Sequence, residues 1–255
     1  MKEPSMRHDT HTAEKDLWIY GINPVGEALR SGRRIITLYT LAQKGHAKDI
    51  VEAARAKGIP VKSMDRKFFD DRFHKGHQGI AAIVERKKTI GIEELMEIPG
   101  RKGETPFFLI LDLIEDPRNF GAILRVADAA GMHGVVFQSH RSAGITPVVS
   151  KSSAGALEHV NLVEMPNIKH AMEKMKRADI TLIGAEAGAD RALWDIDMRV
   201  PLALVVGSEG EGLRRTVREM CDHLVTLPLH GAVNSLNVSV ATGILAYEVL
   251  RQRRV

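Results

Sequence analysis

Cysteine is nearly absent. Cys221 stands alone in 255 residues, which excludes an intrachain disulfide and any structural zinc site built on several thiolates. No run approaches the roughly 18 consecutive apolar residues of a membrane-crossing helix. The opening MKEPSMRHDTHTAEKD also lacks the apolar stretch of a secretory leader. Aromatic residues make up only 5% of the chain. What is present is ample: 44% apolar and 27% charged residues over this length allow one large domain or two ordinary ones. The expectation is a cytoplasmic globular protein with no membrane partner.

Charge is unevenly spread. Residues 1–105 carry a net +5 and residues 106–255 a net −1. A basic front beside a near-neutral back fits a nucleic-acid-docking module joined to a module that does chemistry. Ordinary solvated Lys and Arg fit the same balance, so charge leaves both readings open.

The pattern along the chain divides it into four parts. Residues 1–15 are polar and read as a disordered tail. Residues 16–85 read as a small α/β module. A helix is expected over Asn23–Arg30 with Asn23 as its cap, then a strand over Ile35–Leu41 and a helix over His46–Lys57. A short strand, a helix near Asp65–Arg72 and a strand over Gln78–Val84 follow. Residues 86–105, with the run Arg86–Lys88 and the pair Pro99–Gly100, read as a linker containing a short helix. From 106 to 255 apolar strands alternate with helices, beginning with Phe107–Ile114 and including a helix over Gly212–Met220. Those strands are apolar throughout rather than at every second residue, which predicts a mostly parallel sheet covered on both faces.

Three stretches fall at strand ends, where open α/β sheets bind ligands: DPRNFGAILR at 116–125, GSEGEGL at 207–213 and LPLHGAVNSLNVS at 227–239. The glycines at 207, 210 and 212 match neither a dinucleotide fingerprint nor a phosphate-binding loop, which sets a nicotinamide-dependent dehydrogenase aside. Taken singly, GSEGEGL reads as a tight turn and NSLNVS as a helix cap. Arg125 falls among Ala122, Ile123, Val126 and Ala127, where it needs either a partner or a route to the surface.

Together and in this order, N119-FGAIL-R125 with ADAAG at 127–131, LVVGSEGEGL at 204–213 and LPLHGAVNSLNVSVATGILAYE at 227–248 resemble the three motifs of the SpoU/TrmH family of RNA ribose 2′-O-methyltransferases, within the SPOUT superfamily. The front module, from IYGINPVGEAL to HQGIAAIV, resembles that family's RNA substrate-binding domain. The resemblance implies an α/β domain with a deep trefoil knot, S-adenosylmethionine as cofactor, a homodimer, and methyl transfer to a guanosine ribose of 23S rRNA or a large-subunit precursor, with no DNA partner. It also implies Asn119, Arg125, Glu209, Ser235 and Asn237 as catalytic positions, and Gly207, Leu227 and Leu236 as cofactor-binding ones. Converting an arginine from a pKa near 13 to a neutral base at pH 7 costs roughly 8 kcal/mol at about 1.36 per unit. Electrostatic stabilisation of the developing alkoxide by Arg125 is therefore expected, with Glu209 orienting Arg125 or Asn119 and with Ser235 and Asn237 shaping the ribose pocket. The rival readings are a tRNA 2′-O-methyltransferase of the same family and a non-catalytic RNA-binding or ribosome-assembly protein.

Other features are read as structural. His74 and His77 lack a third ligand for a metal, so none is expected. His223 and His230 are expected to be structural or next to substrate, Cys221 a small buried hydrophobe, Trp18 and Trp194 packed, and Asp190, Asp195 and Asp197 solvated.

Overall fold

The computed structural model describes residues 16–41, 46–73, 75–232 and 235–253, so the tail expected over 1–15 and His74 lie outside the described residues. Two compact units meet in sequence between Lys87 and Lys88.

The first unit runs β1 (Asp16–Tyr20), α1 (Ile22–Arg30), β2 (Ile35–Thr40), α2 (His46–Ala56), β3 (Val61–Ser63), α3 (Arg66–Phe73) and β4 (Ile80–Glu85). Its sheet has the order β1-β4-β2-β3, with β1 and β2 antiparallel to β4 and β3 parallel to β2. The twofold alternation of a strand separates its faces. Ile19, Leu38, Ala82 and Val84 pack with Val25, Ala28 and Val51 in an aliphatic core. Their neighbours Trp18, Tyr20, Tyr39 and Ala81 meet Phe69 and Phe73 of α3 in an aromatic one. Asn23 is not the cap of α1. Gly21 holds that position at φ 95°, a conformation glycine tolerates, and Asn23 lies inside the first turn. The amide of Ile22 donates instead to Gln78 Oε1 at 3.0 Å.

The second unit begins before the first parallel strand. α4 (Ile92–Lys102) spans most of the segment expected as a linker. Its Ile92 and Leu95 are buried with Phe108, Ile110 and Met172, and Ile90 donates its amide to Leu162 O at 2.9 Å. A segment whose every third or fourth residue is apolar gains more by covering the sheet than by staying solvated. After it come β5 (Phe107–Leu111), α5 (Pro117–Ala129), β6 (Gly134–Gln138), α6 (Pro147–Ser152), β7 (Leu162–Met165), α7 (Lys169–Arg177) and β8 (Thr181–Ala185). The chain closes with β9 (Arg191–Ala192), β10 (Leu202–Val206), α8 (Arg215–Arg218), β11 (His223–Thr226) and α9 (Val238–Arg253).

Seven strands in the order β7-β6-β5-β10-β8-β11-β9 form one sheet, and every pairing is parallel. All residues of β5, β6 and β10 are buried, as their unbroken apolar runs require. At the chain's end, Arg253 donates to the carbonyls of Thr105 (3.0 Å), Pro106 (2.9 Å), Met198 (3.1 Å) and Val200 (2.7 Å). It thereby ties α9 to the starts of β5 and β10, and burial lowers its pKa. Among the described residues no helix is long and apolar enough to cross a membrane.

Candidate active site

The order of strands reverses direction between β5 and β10. From β5 the sheet grows through β6 to β7, and from β10 it grows through β8 to β11. Such a reversal leaves a crevice beyond the carboxyl ends of the two central strands, and the sequence puts two of its three polar stretches there.

The stretch after β5 enters a helix at once. Asp116 caps α5 by accepting from the Arg118 amide at 2.7 Å, and Pro117 occupies the first turn. Asn119 is thereby held in that turn, beside the mouth of the crevice. The stretch after β10 folds back on itself. Ser208 and Gly212 exchange both backbone hydrogen bonds, each 3.1 Å. A Cβ on Gly207 would stand 2.1 Å from Gly212 O, and Gly212 itself has φ 69°, so both positions require glycine. This fold-back consumes residues expected in a helix over 212–220 and leaves only Arg215–Arg218 helical. Arg214 clamps the turn to the sheet. Its amide donates to Asp112 Oδ2 at 2.9 Å, its Nε to Asp112 Oδ1 at 2.7 Å and its Nη2 to Gln138 Oε1 at 2.8 Å. Asp112 is fully buried at the end of β5, so this pair locks the 207–213 turn onto the strand that leads to Asn119.

The third stretch closes the constellation. Asn237 precedes α9 and caps it, its Oδ1 accepting from the amides of Ser239 (3.0 Å) and Val240 (3.4 Å) and from Ser239 Oγ (2.5 Å). The other end of the same amide, Nδ2, donates to Asn119 Oδ1 at 2.9 Å and to Glu209 Oε1 at 2.5 Å. Glu209 Oε1 also accepts from the Val238 amide at 3.3 Å. One residue from each stretch thus meets in a single polar chain. A cavity of about 620 Å³ lies beside it, lined by Gly207, Glu209, Leu227, Ser235 and Leu236 among others. That volume suits a cofactor-sized ligand.

Five of the eight site residues expected from the sequence therefore line the cavity. Asn119 and Asn237 join them through Glu209. Arg125 does not join. It is exposed on α5, six residues and about 9 Å of helix beyond Asn119, with no hydrogen bond or ion pair among the described residues. Glu209 was expected to orient Arg125 or Asn119; it bonds Asn237 instead, because the cap of α9 stands between it and α5. Sequence reasoning missed Asp112, Gln138, Arg214 and Glu186. Of these only Asp112 left a signal, a lone carboxylate in the apolar run FFLILDLI.

The residues read as structural have ordinary surroundings. His77 lies 3.0 Å from Asp70 Oδ1 and accepts from the Gly79 amide at 3.0 Å. Among the described residues no cluster of three His, Cys, Asp or Glu could hold a metal ion. Burial pushes the Cys221 thiol up to about 12, far from nucleophilic use. Trp18 packs against Tyr39 at 5.0 Å and under Arg72 at 4.7 Å, whereas Trp194 is exposed rather than packed.

Known proteins resemble this chain in sequence and fold. The family model described as "SpoU rRNA Methylase family" matches residues 106–247, and that of "RNA 2′-O ribose methyltransferase substrate binding" matches residues 18–90. A Bacillus subtilis (strain 168) protein, YacO, named for the TrmH family of tRNA/rRNA methyltransferases, is 42% identical over 92% of this chain and 96% of its own length. The 23S rRNA (guanosine-2′-O-)-methyltransferase RlmB of Shewanella oneidensis is 41% identical over 92% of this chain and 97% of its own. The crystal structure of the SpoU methyltransferase AviRb from Streptomyces viridochromogenes superposes with a TM-score of 0.80 at 25% identity, covering 97% of this chain and 93% of AviRb. A second AviRb structure, in complex with AdoMet, superposes with a TM-score of 0.78 at 26% identity, covering 97% of this chain and 94% of AviRb. With both family models matched, and relatives above 40% identity along nearly its whole length, this chain belongs to the SpoU rRNA methylase family.

Proposed function

We propose that the protein transfers a methyl group from S-adenosylmethionine to the ribose 2′-hydroxyl of a guanosine in 23S rRNA, with the first unit docking the RNA. The observation that carries this reading is the Asn119–Asn237–Glu209 chain set beside a cavity lined by Gly207, Leu227 and Leu236. The family match and the RlmB relatives supply the substrate class.

The cavity fits the cofactor. Residues at the ends of β10 and β11 line it, Gly207 without a side chain, so peptide groups rather than charges would meet an adenine edge, and leucines flank them. When bound, S-adenosylmethionine supplies an electrophilic methyl on a sulfonium. The chain's part is to place the ribose and to favour charge on its oxygen. Asn119 and Asn237 are held rigid by each other and by Glu209, and with Ser235 they shape the ribose pocket. Arg125, which has no hydrogen bond or ion pair among the described residues, would stabilise charge on the oxygen as the methyl bond forms and the hydroxyl proton leaves to water, with an RNA phosphate as neighbour. An arginine spared from neutral-base duty keeps its charge throughout.

Two further features belong to this reading. The insertion of β10 between β5 and β8 supports the deep trefoil knot of the family. On α9, Val240, Ile244 and Tyr247 are 51%, 40% and 53% exposed at helical spacing, an apolar stripe that a second copy of the chain would bury in a homodimer. Tyr247→Asp should convert a dimer to monomer in light scattering; an unchanged mass rejects that face. This reading carries a cytoplasmic location with it, since the proposed substrate is ribosomal RNA.

The test of the reaction is incubation with methyl-labelled cofactor and either unmodified 23S rRNA or unmodified tRNA. Label on 23S rRNA is expected. Label on tRNA alone overturns the substrate, and cofactor binding without label on any ribosomal RNA or precursor overturns the activity.

A further inference from the structure

Glu186 follows β8 and lines the cofactor cavity, yet no motif of the sequence points to it. Its backbone is fixed. The amide donates to Val225 O at 3.0 Å and the carbonyl accepts from the Ala189 amide at 3.4 Å. Its side chain is not at rest in the same way. Oε2 is buried and has no hydrogen-bond partner among the described residues. It points towards Gly212, where a Cβ would stand only 3.4 Å away. Oε1 faces Arg218 Nη1 at 3.6 Å, longer than a hydrogen bond, and that arginine is 55% exposed. An exposed ion pair of this kind contributes little, whereas a carboxylate oxygen stripped of water and left without a donor is costly. A fold that tolerates such an atom beside a cavity has a donor to offer it from the ligand. Of the other acids in the cavity wall, Glu209 is committed to Asn237, and Glu211 is exposed on the turn.

We infer that Glu186 is a cofactor-reading residue that accepts hydrogen bonds from the vicinal ribose hydroxyls of the bound nucleoside, which deepens the proposed function and rests on its cofactor. A carboxylate presents two acceptors side by side, matched to a vicinal diol, and a strand-end acid reads a ribose in the same manner in dinucleotide-binding sheets. Rotation about the terminal bond of the side chain is soft, so either oxygen can be turned to the ligand without moving the backbone. The ammonium of the cofactor's amino-acid end is the poorer match. Arg218, already drawn to Oε1, repels an arriving cation and leaves neutral donors unaffected.

Titration calorimetry on the full chain tests this without turnover, using S-adenosylhomocysteine, 5′-methylthioadenosine and 2′-deoxy-5′-methylthioadenosine. Glu186→Ala should weaken the first two alike, by about tenfold for one charge-assisted hydrogen bond. The deoxy compound should bind the native protein more weakly and lose less on substitution, so that the two changes are coupled. Glu186→Gln keeps the shape and one acceptor, should fall between, and serves if the alanine variant does not fold. Equal affinities in all proteins overturn the inference. So does a loss confined to S-adenosylhomocysteine, which would assign Glu186 to the amino-acid end. A native protein that binds none of the three compounds overturns the cofactor itself. Loss on substitution in a protein that methylates no RNA would leave Glu186 assigned and overturn the reaction.

Discussion

The two units solve the same problem, covering a sheet, in opposite ways. The first alternates its strands, so that Ile19, Leu38 and Val84 face an aliphatic core while Trp18, Tyr20 and Tyr39 face an aromatic one. The second uses strands apolar on both sides, buries them throughout, and pushes its polar chemistry out to the loops at their carboxyl ends. An alternating sheet spends its side chains on its two faces. A doubly covered parallel sheet leaves its ends as the place where side chains are free to act, and a reversal of strand order between β5 and β10 brings two such ends together, where Asn237 joins them. The contrast goes with the proposed chemistry in the second unit and with the match of residues 18–90 to a substrate-binding family model.

The largest effect that would break this division lies at Arg125. Arg125→Ala should lower turnover by about 10²- to 10³-fold, as loss of a charge-stabilising donor does, with affinity for S-adenosylhomocysteine unchanged in calorimetry. Equal losses of affinity and rate would make Arg125 a binding residue instead. Next is the clamp. Asp112→Ala leaves Arg214 without its buried partner and should cost about 3 kcal/mol, the low end for a broken buried pair because the arginine is partly exposed. Cofactor affinity should fall with it, as the 207–213 turn comes loose. Trp18→Ala provides the counterpart in the first unit. Losing a half-buried ring at the centre of the aromatic face should cost about 2 kcal/mol, below the range for a fully buried one. Calorimetric melting should show it, while cofactor affinity stays as in the native protein. A fall in affinity for this variant would erase the division between units.

The smallest effect is a pH dependence confined to the second unit. His133 is buried, with Nδ1 3.3 Å from Phe107 O and Nε2 3.0 Å from Glu104 Oε2, two acceptors that favour the charged ring. Burial holds its pKa below the ordinary 6.5 despite those partners. The unfolded chain therefore takes up a proton more readily than the folded one, and stability falls as pH drops through 6.5. His133→Gln should flatten that slope in melting experiments between pH 7 and 5, and a slope as steep as in the native protein would clear His133 of it.

How much of this was legible in the sequence differs between the units for a physical reason. Continuous apolar runs such as FFLIL and LALVV can hardly be anything but strands buried on both sides, and residues 107–111 and 202–206 are that. A polar residue followed by Pro starts helices at 117 and 147, and Ala154 and Gly155, at φ 53° and 102°, follow the end of the second one. Where backbone rather than side chain decides, the reading ran out. Asn23 looked like a cap but the turn needed Gly21, and the helix expected from Gly212 begins only at Arg215, because the chain folds back between Ser208 and Gly212. The segment at 86–105 looked like a linker because of its charge run and its Pro99–Gly100 pair; the spacing of Ile92 and Leu95 buries them against the sheet. The site was legible through its motifs, because Asn119, Glu209 and Asn237 recur in a recognisable order. Glu186 and Arg214 belong to no such pattern. Their importance lies in what stands opposite them, an unpaired oxygen in one case and a buried carboxylate in the other, and opposition across the sheet is written only in three dimensions.

The account rests on a ribose oxygen as the atom that receives the methyl group. Digestion of 23S rRNA treated with the enzyme and cofactor to nucleosides, followed by mass spectrometry with fragmentation at the glycosidic bond, reads this directly. The predicted result is 2′-O-methylguanosine, with the added 14 mass units on the sugar fragment. A methyl group found on the guanine base would contradict the account.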